Sequence, residues 1–306
     1  MPLSPNLAGA LFMAVSMAGF TINDTLVKYA SASLNMGQVM LVRGAFAAVL
    51  IGLIAWHQGA LRAPKHIIHP MILLRCCGEL GGTIFFLIAL SHLPIANVSA
   101  ILQALPLAVT MGAALFLSEP VGWRRWLSIG CGFVGVMIIV RPGFDGFSMY
   151  SVSVLLCVFF CAVRDLATRM IPKEVPSMLV SVATAVIVTL AGAVLVQPLG
   201  GWTPMSATQT GMLAAAASML IIGYHFIITA MRTGEISFIA PFRYTALLWA
   251  IVLGFAVFGD VPDLPMIIGS AVIVGSGLYM LYREQVTGRA QVIAESTETA
   301  MAPDGL

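Results

Sequence analysis

The sequence predicts an all-α integral membrane protein: ten transmembrane helices arranged as two inverted five-helix repeats. Three observations carry that prediction. Hydrophobic residues make up 59% of the chain and charged ones 9%, with a mean hydropathy of +0.98, whereas a soluble domain carries about 45–50% apolar and roughly 25% charged residues. Apolar runs of about 20 residues, the length that crosses a hydrocarbon core, recur at 6–30, 37–57, 68–91, 95–117, 123–141, 147–170, 177–197, 208–231, 236–259 and 264–282. An offset of 141 residues then carries Asp24 onto Asp165, Lys28 onto Arg169, Ala89 onto Ala230, Ile95 onto Ile236 and Glu119 onto Asp260.

Taken in order, the first run opens with MPLSPNLAGALF, which lacks a basic leader and is too long for a signal h-region. It is read as the first spanning helix. It closes in FTINDTLVKYA, where Asp24 and Lys28 share one helical face. Turn residues stop the later helices: Pro94, Glu119-Pro120, Pro142-Gly143, Pro172 and Pro176, Leu199-Gly200-Gly201 and Val261-Pro262. The segment 284–306 is polar and aperiodic, so a disordered tail is expected there.

The basic residues Arg62, Lys65, Arg124, Arg125, Arg169, Lys173, Arg232, Arg283 and Arg289 fall on one side of this arrangement. Arg141 falls on the other, with Asp145, Asp260 and Asp263. Basic loops mark the cytoplasm, so both termini are expected there. The net charge of +2 gives no reason to expect nucleic acid. Because five is odd, repeats spanning 1–141 and 142–283 must enter the membrane with opposite orientation. That is the plan of secondary transporters, whose substrate sits near the midplane between the halves.

Residues 89–141, ALSHLPIANVSAILQALPLAVTMGAALFLSEPVGWRRWLSIGCGFVGVMIIVR, resemble EamA-type carriers of the drug/metabolite transporter superfamily. The resemblance rests on the Ala-rich fourth helix with Pro106, on the Glu119 that ends it, and on Gly130, Gly132 and Gly135 in the fifth. Residues 240–283 repeat the pattern, with Asp260 in place of the glutamate and Leu247 opposite Pro106; Arg43 also fits. The resemblance implies ten helices, a central cavity lined mainly by helices 1, 3, 4, 6, 8 and 9, and transport of small organic metabolites. The stretches APFRYTALLWA around Arg243 and SPNLAGALFMAVSMAGFTINDTLVK are most similar to bacterial riboflavin importers and to related carriers of S-adenosylmethionine-like metabolites. Riboflavin is therefore the expected substrate and the bacterial inner membrane the expected location. The same skeleton also serves exporters of amino acids and other metabolites.

Depth along each helix sorts the polar groups. Asp24, Lys28 and Arg43 gather toward the outer side, and Arg164, Asp165, Arg169 and Arg243 toward the inner side. They read either as two gates that open alternately or as side chains that snorkel from helix ends. Arg75 and Glu79 form a deeper i,i+4 pair on the third helix. A carboxylate at mid-membrane costs about 2.5–3.5 kcal/mol unless it is paired or wet, which makes Glu79 a candidate for substrate binding or coupling; the simpler alternative is that it neutralises Arg75. Gln103, Tyr224, His225, Arg243 and Tyr244 add hydrogen-bonding groups to the same candidate site. Phe238, Phe242 and Trp249 form one stripe of the ninth helix that could stack on a flat heteroaromatic.

The five cysteines lie inside apolar runs, and Cys157 and Cys161 have no His or Cys partners in a nearby loop. Neither a metal nor a cofactor is expected. The connections hold no P-loop, Gly-rich phosphate loop or clustered catalytic set, and no ring of charge suggests a channel. An enzyme and a built-in ATPase motor are both disfavoured. Glycines on the third, fifth and tenth helices predict close helix contacts, the last two pairing either within one chain or between two copies.

Overall fold

The computed structural model describes residues 4–57, 69–119, 121–143, 147–172, 175–233 and 235–287. Arg62, Lys65, Pro120, Asp145, Lys173, Arg289 and the tail beyond 287 lie outside them. The described residues form ten helices long and apolar enough to span a membrane: α1 (Pro5–Ser31), α2 (Met36–His57), α3 (Pro70–His92), α4 (Ile95–Phe116), α5 (Trp123–Val140), α6 (Met149–Arg169), α7 (Ser177–Val196), α8 (Ala207–Thr233), α9 (Ala240–Phe258) and α10 (Leu264–Arg283). No strand occurs among the described residues. The last helix runs on to Thr287, so 284–287 are helical rather than tail.

Local chemistry sets the ends. Ser4 caps α1 by accepting from the Leu7 amide at 3.3 Å, with Pro5 in the first turn. His69 caps α3 through Nδ1, 3.2 Å from the Met71 amide, and Ser148 caps α6. Those caps explain why α3 and α6 begin two residues later than hydropathy alone suggests. Helix α4 breaks between Leu102 and Leu105, where Pro106 lacks the amide that would bond back to Leu102. Helix α9 opens as a 3₁₀ turn over Ala240–Tyr244, becomes α at Thr245, and ends as a π-turn over Gly254–Phe258. The changeover at Tyr244 lies 141 residues after the break at Gln103.

Helix α1 packs on α8, α3 on α6, α2 on α7 and α5 on α10. Lesser contacts join α1 to α9, α4 to α6, α2 to α8 and α3 to α7. Exchanging every helix with the one five places along reproduces the same list of partners. Glycines make the tightest of these contacts, as expected where lipid removes the hydrophobic drive between helices. Gly135 and Gly269 bring α5 and α10 together within one chain.

The start of α1 and the last turns of α2, α4, α6 and α8 form one end, called the near end. There the Glu235 amide donates to Asn6 at 2.9 Å. At the far end Gln38 donates to the Thr203 carbonyl at 2.7 Å, and Arg141 pairs with Asp263. The outward surface is apolar, with Phe116, Val194 and Phe255 all exposed, and Trp56, Trp123 and Trp202 stand near helix ends. Such a surface needs lipid, and tryptophans at the ends match the aromatic belts of membrane proteins. This is a multi-pass membrane protein.

Candidate functional site

The site begins with how α2 and α7 meet. In their far halves they nearly touch: a methyl group on Gly192 would sit 2.6 Å from the Leu41 amide nitrogen, and one on Gly37 would sit 2.6 Å from the Leu195 carbonyl carbon. In their near halves they part. Ile51 and Ile54 of α2 face Met178 and Ser181 of α7 across a cavity of about 140 Å³, closed at the back by α3 and α8. Mid-depth polar groups line it: Arg43 from α2, Arg75 and Glu79 from α3, Thr184 from α7 and Tyr224 from α8. Of the helices expected to line a cavity, α3 and α8 line this one, and α2 and α7 supply the rest of its wall in place of helices 1, 4, 6 and 9. Helices α1 and α6 fill the centre by packing on α8 and α3, so space remains where α2 and α7 diverge.

Behind the wall lies a chain of charges. Glu79 accepts from Arg164 Nη1 at 3.2 Å, and Arg164 Nε donates to Asp165 at 2.7 Å. Gly78 makes this reach short, because a methyl group there would lie 2.8 Å from the Arg164 backbone nitrogen. Asp165 is fully buried, and its Oδ2 has no hydrogen-bond partner. Arg75 does not turn to Glu79; it donates to Thr184 at 2.6 Å. Arg43 donates to Asn23 Oδ1 at 3.3 Å, and Asn23 donates in turn to Asp24 at 2.9 Å. Tyr224 rests edge-on against Phe20, with ring centroids 5.4 Å apart.

The arrangement thus gathers three guanidiniums (Arg43, Arg75, Arg164) and three carboxylates (Asp24, Glu79, Asp165). Glu79 and Asp165 both pair with Arg164, which offsets the cost of burying charge at this depth. Each ion alone would cost several kcal/mol, and taking one partner from a buried pair costs about 3–5 kcal/mol. A solute in the cavity meets both signs on one wall, so it can be held by charge-assisted hydrogen bonds through either donors or acceptors.

The remaining candidates lie elsewhere. Lys28 donates to the Leu93 carbonyl at the α3–α4 turn, and its ammonium stands 5.1 Å from the Phe258 ring. Arg169 pairs with Glu119 at 2.8 Å. Each expected gate therefore separates into a deep layer beside the cavity and an outer layer at a helix end. Arg243 lies beside Tyr244, within the field of Asp165. Gln103 is buried at the break in α4, and Tyr244 is buried with its hydroxyl against Gly277 of α10; neither lines the cavity. His225 is exposed on the outer face of α8 beside Phe226, because one helical step turns it about 100° from Tyr224. Phe238 and Trp249 are also exposed, and the Trp249 indole donates to the Ala14 carbonyl at 3.1 Å.

Two residues with no role expected from the sequence belong beside the charged groups. Asn23 bridges Asp24 to Arg43, and Thr184 accepts from Arg75. A signal existed for each: Asn23 adjoins the one carboxylate of α1, and Thr184 is one of few hydroxyls on a strongly apolar α7. The Cys157 and Cys161 sulfurs lie 3.9 Å apart and buried. Among the described residues no group of three or more His, Cys, Asp or Glu is placed to hold a metal.

Comparison with known proteins adds the following. The EamA-like transporter family profile matches residues 7–141. The riboflavin transporter of Vibrio cholerae is 30% identical over 290 residues, covering 93% of this chain and 96% of that one. The pseudopaline exporter of Pseudomonas aeruginosa is 26% identical over 275 residues, covering 87% of this chain and 93% of its own. A solved crystal structure superposes with a TM-score of 0.62 at 17% identity, over 91% of this chain and 98% of the other, which speaks to the fold alone. Ten apolar helices with this packing, together with end-to-end similarity to a named carrier, place the chain in the EamA-like transporter family, within the drug/metabolite transporter superfamily.

Proposed function

We propose that the protein is a secondary transporter that takes up riboflavin across the bacterial inner membrane by alternating access. The observation that carries the transport reading is the cavity itself. It ends at Arg43, Arg75 and Glu79 at mid-depth, and it lies between two helices that are packed in one half and parted in the other. The partner pattern that repeats five helices along supports two repeats, 1–141 and 142–283, inverted with respect to each other. With basic loops at the near end and both termini cytoplasmic, the cavity belongs to an inward-facing state. Arg43 with Asp24, and Arg164 with Asp165 and Arg243, act as the deep gates. Arg75, Glu79 and Tyr224 contact the solute. The 30% identity to a riboflavin transporter supports the vitamin as substrate.

A second reading has its own observation. The mixed-sign wall of Arg43, Arg75 and Glu79 suits a solute bearing both amino and carboxylate groups, and one relative exports pseudopaline. Growth of a bacterium unable to make or import riboflavin decides between them. Cells expressing this chain at low external riboflavin grow, and Glu79→Gln at equal membrane abundance does not. No growth with well-inserted wild-type protein removes riboflavin and leaves the amino-carboxylate solute as the reading to pursue.

A further inference from the structure

The outer layer of charge is asymmetric in a way the repeat makes informative. Lys28 and Arg169 are equivalent under the 141-residue offset, and so are Asp260 and Glu119. Each basic residue stands on the first helix of one repeat, and the matching acid closes the fourth helix of the other. At the near end, where α2 and α7 are parted, Arg169 and Glu119 form an ion pair at 2.8 Å, with about a fifth and a quarter of their side chains exposed. At the far end, where α2 and α7 are packed, the equivalent pair is unmade. Lys28 donates to the Leu93 carbonyl and lies over the Phe258 ring, while Asp260 acts on it only as an electrostatic neighbour. The Asp260 Oδ2 atom is buried with no hydrogen-bond partner.

We infer that Lys28 is a two-position switch. It holds the α3–α4 turn when the far end is closed and passes to Asp260 when that end opens, while Arg169 releases Glu119 as the near end closes. The orphaned Asp260 oxygen is the acceptor kept for the second position. A basic residue therefore pairs with its acid at whichever end is open. This rests on the alternating-access reading above but on no particular solute.

The two acids must then bias the two states in opposite directions, since a group shifts an equilibrium only by what it contributes differently to each state. The test uses the full chain in lipid nanodiscs with Met178→Cys on the near-end cavity wall, followed by its rate of modification with a water-soluble maleimide. Glu119→Gln slows modification and Asp260→Asn speeds it, each by roughly two- to five-fold, the range expected for a partly exposed ion pair. Asp260→Glu restores the original rate. Unchanged rates, or a shift in the same direction for both acids, overturn the switch. Should Asp260→Asn not fold, Glu119→Gln decides alone: slower modification supports the switch, and unchanged or faster modification overturns it. Because no solute is present, a carrier that proves not to move riboflavin leaves this result standing.

Discussion

The two halves of the α2–α7 contact are made by the same pair of helices and have opposite character. The far half is sealed by close backbone approach at Gly37 and Gly192. The near half is held apart, with Ile51, Ile54, Met178 and Ser181 around an open volume and Arg75 spanning from α3 to Thr184. Small residues let helices approach in lipid, where packing rather than the hydrophobic effect drives association. Larger ones, with charges that must stay hydrated or paired, keep them apart. A transporter needs one interface able to do both, and this pair lies in the state where each half does one.

Two changes bear on that comparison. The larger effect comes from Gly192→Val. Its side chain would press on the Leu41 amide, and because backbone cannot give way like a flexible side chain, about 1–3 kcal/mol of stability is lost. Thermal unfolding in detergent would register this as a lower Tm, whereas an unchanged Tm would mean the far half is not sealed as described. A smaller effect tests whether the seal depends on charge elsewhere at the far end. Burial nudges the Asp263 carboxyl up, but the Arg141 guanidinium and the Met266 amide bring it below its ordinary value. Its contribution is therefore present above the unfolded carboxylate range and is lost as pH falls through the lower folded value. About half of that side chain is exposed, so solvent screening holds Asp263→Asn to roughly 0.2–1 kcal/mol. The loss should vanish in acid and shrink in high salt, with maleimide access at the near end unchanged. A loss as large at low pH as at neutral pH would contradict the assignment.

Much of this was legible in the sequence. Hydropathy located the ten spans, and the caps at His69 and Ser148 account for the later starts of α3 and α6. Depth alone brought Arg43 toward Asp24, although the contact runs through Asn23. What the sequence could not supply was rotation about helix axes and the choice of neighbours. Arg75 and Glu79 share a face and look like a pair, yet α3 sits between α6 and α7, so each takes a partner from a different helix. Tyr224 and His225 are adjacent in the chain, yet Tyr224 lines the cavity and His225 is exposed on another face of α8. The cavity between α2 and α7 was not foreseen because neither helix stands out by composition; apart from Arg43, Gln38 and His57 of α2 and four hydroxyls of α7, both read as plain apolar spans.

The most direct test of the central claim, that the solute occupies the cavity between α2 and α7, is exchange of labelled riboflavin in proteoliposomes by the wild type and by Ser181→Leu. The substitution adds apolar volume to the cavity wall without removing a charge. The account predicts exchange by the wild type and at least about tenfold less by the variant, equivalent to roughly 1.4 kcal/mol, at an unchanged Tm. Equal exchange by the two proteins would place the solute elsewhere and contradict it.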